Sequence, residues 1–351
     1  MDVSLFDFEL PEERIALRPV HPRDRARMLV VHQNGQMEHA HVCDLPNYLR
    51  SGDMVVANDT KVIPARLHGR RLPRFKSEGD GAKIELMLHK RLSADRFLAF
   101  ARPAKKLTPG DRVQISEALW ALVIARRDGG EVEVEFGCSG SALDAAIVSH
   151  GEMPLPPYIA GRRTPDARDA CDYQTVFAEY DGSVAAPTAG LHFTPELLVR
   201  LEAQRIARVN LTLHVGAGTF LPVTAQDTAE HRMHAERATV SDSAAARLNE
   251  VRESGRKILA VGTTSLRTLE TAAREDNTFT PFSGETALFI TPGYRFKSAE
   301  ILLTNFHLPR STLFMLVCAF SGIETMRRAY AEAIREHYRF YSYGDACLLF
   351  R

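Results

Sequence analysis

The spacing of apolar residues changes character twice along the chain. Near the N-terminus it predicts a short helix after Leu10-Pro11-Glu12. Two strands follow, MLVV and MEHAHV, around Gln33-Asn34-Gly35, with Asn-Gly as the turn signal of a hairpin. A helix near residues 45–49 and a strand at 54–57 come next. Between about residues 66 and 136 the runs IELMLH, RFLAFAR, DRVQIS, WALVIAR and EVEVEF alternate or cluster apolar residues over strand lengths, with GDG, TPGD and RDGG between them. No helix-length pattern occurs in that span, which therefore predicts a small antiparallel β-barrel or closed sheet.

Helical patterning returns at residues 142–148 and dominates from Pro195 onward, where strands alternate with helices. Such alternation predicts an α/β architecture with a largely parallel sheet. The expected organisation is a discontinuous α/β domain, residues 1–63 and 146–351, with a β-barrel domain at 64–145 inserted into it. Pro154, Pro156 and Pro157 mark a rigid crossing back. No internal repeat or low-complexity segment interrupts this plan.

Four junctions concentrate polar residues at expected strand ends. In PTAGLHFT, residues 187–194, a strand pattern gives way to a helix that Thr194 can cap, with Pro195 in its first turn and Glu196 facing its dipole. A strand at 209–215 runs into Gly216, Ala217 and Gly218, followed by Thr219 and Phe220. Another at 258–261 meets Gly262, capping threonines Thr263 and Thr264, and a helix with Arg267 and Glu270. A fourth, 301–303, leads to Asn305, His307, Pro309 and a cap at Ser311 or Thr312. Open α/β sheets and barrels present their chemistry at such ends.

At 351 residues the chain can bury a large core and a smaller second one, and 45% hydrophobic residues is ordinary for a soluble protein. The most apolar stretch, residues 313–320, is too short to span a bilayer, and no basic N-terminal segment precedes an apolar run, so a cytoplasmic location is expected. Five scattered cysteines suggest neither disulfides nor a zinc site. Lys plus Arg equals Asp plus Glu at 44 each, so net charge gives no support for a nucleic-acid partner. Three local clusters do: Arg14, Arg18, Arg23, Arg25 and Arg27; Arg66, Arg70, Arg71, Arg74 and Lys76; Arg162 with Arg163. Each is either a solvated face or, if the fold joins several, a phosphate-binding surface.

The junction strings, with ANDTKVIPARL at Ala57, MPLPPYI at Met153, EHRMHAE around His234, TPGYRF at Thr291 and YSYGDACLLF near the C-terminus, cover nearly the whole chain. Together they resemble the bacterial S-adenosylmethionine:tRNA ribosyltransferase-isomerases of queuosine biosynthesis. The resemblance implies a barrel-like α/β main domain with an inserted β-barrel. The implied reaction moves the ribosyl unit of S-adenosylmethionine onto 7-aminomethyl-7-deazaguanine at the wobble position of a tRNA with a GUN anticodon. The ribose is rearranged to an epoxycyclopentane-diol, giving epoxyqueuosine, and adenine and methionine leave. S-adenosylmethionine is then a substrate, no cofactor is permanently bound, and a monomer without membrane contact is implied.

Such chemistry needs a base near the carbon beside the sulfonium, a proton donor for adenine and groups that hold the sugar. Neutral imidazoles suit the first two, which singles out His192 and His214, with His307 third; each also fits a histidine that merely bonds a neighbouring loop. Gly190, Gly216 and Gly218 can admit ligand oxygens to backbone N–H groups, although no complete GxGxxG or P-loop occurs. Thr188, Thr264 and Asn305 can bond ribose or adenine edges. Arg267 fits a fixed cation for a carboxylate or phosphate, or an i, i+3 pair with Glu270. Asp345 fits a ribose grip or a salt bridge. Phe193, Phe220 and Tyr343 are the aromatic candidates for stacking. His231 and His234 would face one side of a helical turn near Glu236, but without a third ligand no metal is expected, and His234 with Glu236 fits substrate positioning better. Two other classes stay open: a noncatalytic RNA-binding protein, and an α/β nucleoside-processing hydrolase, which here lacks GxSxG.

Overall fold

The computed structural model describes residues 1–75, 79–216 and 225–351. Its strands are β1 (Arg27–Val31), β2 (Met37–His41), β3 (Met54–Asn58), β4 (Thr60–Val62), β5 (Arg66–Arg71), β6 (Ala82–Arg91), β7 (Arg96–Arg102), β8 (Arg112–Gln114), β9 (Trp120–Arg126), β10 (Glu131–Phe136), β11 (Tyr180–Ser183), β12 (Ala207–Leu213), β13 (Glu236–Val240), β14 (Ile258–Val261), β15 (Phe282–Thr286), β16 (Ile301–Asn305) and β17 (Ala346–Phe350). Its α-helices are α1 (Gly140–His150), α2 (Pro157–Ala160), α3 (Asp169–Asp172), α4 (Pro195–Ala203), α5 (Asp242–Glu253), α6 (Gly262–Ala272), α7 (Thr312–Ser321) and α8 (Ile323–Arg335).

Two compact units result. The first comprises Met1–Lys61, Tyr158–Tyr180 and Ala186–Arg351, and the second Val62–Pro157 with Asp181–Ala185. The second is wider than the expected 64–145 because α1 belongs with the barrel: Asp144 on α1 pairs with Arg91, and His150 bonds Ser116 at 3.2 Å.

In the α/β unit nine strands form a mixed sheet in the order β15-β13-β12-β3-β14-β16-β17-β1-β2. Alternate residues of each strand feed two cores. Leu29, Val31, Val56 and Leu302 pack with Leu248 of α5, Leu266 of α6, Phe314 of α7 and Met326 of α8. Met28, Val30, Val55 and Leu303 pack with Leu197 and Leu201 of α4. Helices thus cover both faces, as a parallel-rich sheet requires. The hairpin β1–β2 forms as expected, with Gly35 at φ +78°. The strand before PTAGLHFT is β11, which pairs with β4 in a separate two-stranded sheet and does not join the large one, while PTAGLHFT itself makes a 3₁₀ turn, Thr188–His192.

The other unit is a closed barrel, β10-β7-β6-β5-β8-β9. Its inward positions Leu67, Ile84, Leu86, Val113, Val123, Val132 and Val134 are buried, and the alternate ones are polar or half-exposed. Among the described residues no helix is long and apolar enough to cross a membrane.

Candidate active site

β12, β3, β14 and β16 are consecutive neighbours and mutually parallel, so their C-terminal ends lie along one edge of the sheet. That edge presents His214 after β12, Asn58 and Asp59 at the end of β3, Gly262 after β14 and Asn305 at the end of β16. Ligands of open α/β sheets bind outside this edge.

At one end, three predicted residues share a network. Thr188 Oγ1 donates to Asn305 Oδ1 at 2.8 Å, and Asn305 Nδ2 donates to His192 Nε2 at 3.1 Å and to the Tyr341 carbonyl at 3.2 Å. Because an amide nitrogen only donates, His192 Nε2 must accept, which places the ring proton on Nδ1. His192 is buried, and burial lowers its pKa to about 4 against the raising effect of Asp345, with Arg339 and Arg23 adding to the fall. The ring is therefore neutral near pH 7. Tyr341, whose carbonyl Asn305 holds, sits at φ +72°, a strained position for a bulky residue and a frequent mark of functional sites. Beside His192 a cavity of about 10 Å³, lined by Arg23, Leu191, Ser342 and Tyr343 among others, has room for roughly one water.

A second cluster lies at β3 and β12. His214 Nδ1 is 2.8 Å from Thr60 Oγ1, Asn58 bonds both the N–H and the carbonyl of Leu213, and Thr212 Oγ1 donates to Asp59 at 2.7 Å. Burial raises Asp59 to about 6, opposed by the Thr212 bond and assisted by Glu179. Asp59 was not among the expected site residues; its signal was the polar run Asn58-Asp59-Thr60 directly after the apolar strand MVVA.

β14 separates the clusters, so β3 and β16 stand two strand spacings, roughly 10 Å, apart. In between, Gly262 adopts φ +87°, which a side chain would strain, and α6 starts there with no side-chain cap. The expected Thr263 or Thr264 cap is replaced by this glycine turn, because the helix begins before either threonine. The Thr264 hydroxyl and the first N–H groups of α6 are left to a ligand or solvent, and such a terminus favours anions.

Arg267 does not pair with Glu270, which instead accepts from Tyr294, Lys297 and Ser298. Arg267 Nη1 donates to Glu236 at 2.6 Å, its Nε to the Leu288 carbonyl, and Glu236 also accepts the Gly216 N–H at 3.1 Å. Both charged groups are buried. This pair thus holds Gly216; the candidates Gly218 and Phe220 lie outside the described residues. His234 is exposed, and residues 231–235 are not helical, so the expected helical turn does not form, although burial and the neighbouring His234 both lower the His231 pKa; among the described residues no group of three potential ligands could hold a metal.

His307 stands apart from the His192 network. It is buried, with Nε2 at 2.8 Å from Thr304 Oγ1 and its backbone N–H donating to the Tyr330 hydroxyl in the core, and burial alone lowers its pKa to about 3. Asp345 is occupied by the backbone N–H groups of Arg27 and Arg339 and by the Arg339 guanidinium at 3.0 Å, a salt bridge that fixes the preceding turn. Tyr343 is buried with its hydroxyl unpartnered among the described residues, edge-on to Tyr173. Phe193 packs against Phe177 in the core, and a side chain on Gly190 would press on Thr175 at 3.1 Å. Thr194 caps α4 as expected, accepting from Leu197 N–H at 3.1 Å.

Two basic clusters meet carboxylates. Arg163 holds Asp169 with two bonds, Arg18 reaches both Asp166 and Asp169, and Arg23 donates to the Asp172 carbonyl at 2.6 Å. Asp169 is pulled below its usual pKa by these arginines although burial opposes them.

Neutral imidazole, a carboxyl titrating near neutrality and an uncapped helix start along one C-terminal sheet edge define an α/β enzyme that works from its loops. A family model described as "Queuosine biosynthesis protein" matches residues 3–349. The chain belongs to that family. It is 58% identical to the S-adenosylmethionine:tRNA ribosyltransferase-isomerase of Methylobacterium sp. (strain 4-46), covering 100% of this chain and 99% of that protein. Against the protein of the same name from Parvibaculum lavamentivorans it is 59% identical, again over 100% and 99%. The crystal structure of S-adenosylmethionine tRNA ribosyltransferase from Thermotoga maritima is similar at TM-score 0.56 and 36% identity, over 99% of this chain and 100% of that one.

Proposed function

We propose that this protein transfers the ribosyl unit of S-adenosylmethionine to 7-aminomethyl-7-deazaguanine at the wobble position of tRNAs with GUN anticodons. It isomerises that unit to the epoxycyclopentane-diol of epoxyqueuosine, with release of adenine and methionine. The reading is carried by end-to-end identity of 58–59% with relatives of that name. The α/β unit is the catalytic part, acting in the cytoplasm as a monomer without metal or permanent cofactor.

The sheet edge supports this chemistry. Asp59 exchanges its proton near neutrality and, with His214, forms the acid/base pair; His192, held by Asn305 and Thr188, offers neutral imidazole to the sugar or the departing base. Thr264 and the first N–H groups of α6 suit the methionine carboxylate. Glu236, held by Arg267, fixes Gly216 at the end of this edge.

Adenine release from S-adenosylmethionine, measured with and without tRNA carrying the aminomethyl-deazaguanine, tests the reading together with the mass of that nucleoside. Release that depends on the modified tRNA, with the matching mass gain, supports it. Tight tRNA binding without release would leave a binding protein, and release without tRNA a nucleosidase-like enzyme. His192→Ala is expected to lower turnover about a hundredfold or more while tRNA affinity barely changes; parallel loss of binding and folding would mark His192 as structural.

A further inference from the structure

The barrel's basic cluster keeps Arg70 exposed and without an ion pair among the described residues, and the fold brings further cations beside it. The end of β5, the start of β6, the end of β7 with its following turn and the start of β8 come together at one rim, because each adjacent pair is antiparallel. On that rim Arg70 stands directly opposite Lys83 in the ladder. Both are exposed, and neither makes an ion pair among the described residues. Like charges placed directly opposite destabilise a sheet. Exposed Lys105 and Lys106 follow β7, and Arg112 lies with its guanidinium 4.2 Å from the Trp120 ring centre.

A buried carboxylate at this rim, Asp111, serves to orient an arginine. Asp111 takes two bonds from Arg74, at 2.7 and 2.5 Å, and a third from Thr108 N–H, while Arg74 reaches on to the Lys106 carbonyl at 3.3 Å. Between them opens a shallow hollow of about 380 Å³ lined by Arg71, Arg74, Lys106, Gly81 and Ala82, with no acidic lining residue. Its floor is bare of necessity: Gly81 has φ +76°, and a Cβ there would lie 1.9 Å from the Arg71 carbonyl oxygen. Phe75, 69% exposed, follows Arg74 directly. An exposed aromatic next to spread cations is the arrangement that stacks an unpaired base while the phosphates on either side are neutralised.

We infer that this rim of the barrel is an RNA-docking surface, with Arg70, Lys83, Lys106 and Arg112 on backbone phosphates and Phe75 stacking on an unpaired base. It rests on the reading that tRNA is the substrate and adds the surface that grips it. The width of the hollow and the spread of charge over three strands suit a polyanion rather than a single small anion.

The test measures equilibrium binding of the substrate tRNA and the KM for it, over a series of KCl concentrations, on the full-length protein. Arg70→Glu/Lys83→Glu is expected to weaken binding and raise KM by about tenfold or more, and to flatten the log–log salt slope by about two. The loss falls on KM rather than kcat. Phe75→Ala should weaken binding by roughly fivefold or more with the slope kept. Lys105→Glu/Lys106→Glu, on a turn outside the ladder, provides the same reading should the first variant fold poorly. Arg327→Glu/Arg335→Glu on α8 makes the same charge change elsewhere. Wild-type affinity and slope in both rim variants, or an equal loss in the α8 variant, would overturn the inference. Rim-sensitive tRNA binding without adenine release would instead sink the transferase reading and leave the docking surface standing.

Discussion

Arg18, Arg23 and Arg163 of the α/β unit and Arg70, Lys83, Lys105 and Lys106 of the barrel come from equally basic segments, yet they end in opposite environments. The first three converge on Asp166, Asp169 and the Asp172 backbone, where each donor has an acceptor. The second four remain on an exposed rim where the nearest buried carboxylate, Asp111, is already bound to Arg74. A basic cluster in sequence is thus a scaffold when the fold brings acids to it and a docking surface when it does not.

The contrast can be broken most forcefully from the scaffold side. Asp169→Ala leaves Arg163 and Arg18 facing a missing partner and should cost about 3–4 kcal/mol, the low end for a broken buried pair because Arg18 keeps some contact with water. Urea unfolding reads this, and a change within error would mean that the network is only superficial. The next effect concerns His192, whose protonation the nearby arginines oppose. Its folded-state pKa, about 4, lies below the unfolded value near 6.5, so the unfolded chain binds the extra proton first. Stability is then fully present above about pH 6.5 and falls as pH drops toward 4, by about 3 kcal/mol at most from this group. His192→Gln should flatten that part of the stability profile; an unaltered profile would remove His192 from it. Smallest is the effect on the rim. Lys83→Glu turns a repulsive cross-strand pair into an attractive one and should stabilise the protein by about 0.2–1 kcal/mol, seen as a raised urea midpoint, while tRNA binding weakens. Loss of both would show that Lys83 serves the barrel itself.

The sequence made the barrel visible because EVEVEF alternates and WALVIAR clusters apolar residues over strand length with turn residues on either side, and made the hairpin visible through Asn34-Gly35. It also placed Thr188, His192 and Asn305 together, since each sits where an apolar run breaks. The strand before PTAGLHFT formed as β11 but outside the large sheet, since local apolarity reports a strand and not the partner it pairs with. The polar run Asn58-Asp59-Thr60 marked the position of Asp59, but not its raised proton affinity, which arises from burial. The fates of the arginine clusters were equally hidden: Arg18 meets Asp169 across much of the chain, whereas Arg70 meets Lys83 through ladder register.

The order of strands in the large sheet also bears on how the protein is made. β3 lies between β12 and β14, with the whole barrel sequence intervening between β3 and β12, and β1 pairs with β17. During synthesis from the N-terminus, the barrel strands β5 to β10 are complete before β12 exists, so the barrel can fold on local contacts while β1 and β3 wait. The edge that unites Asp59, His214 and Asn305 is assembled only after the β16 segment has emerged, and the sheet closes around it with β17. The ribosome thus completes the barrel before the large sheet.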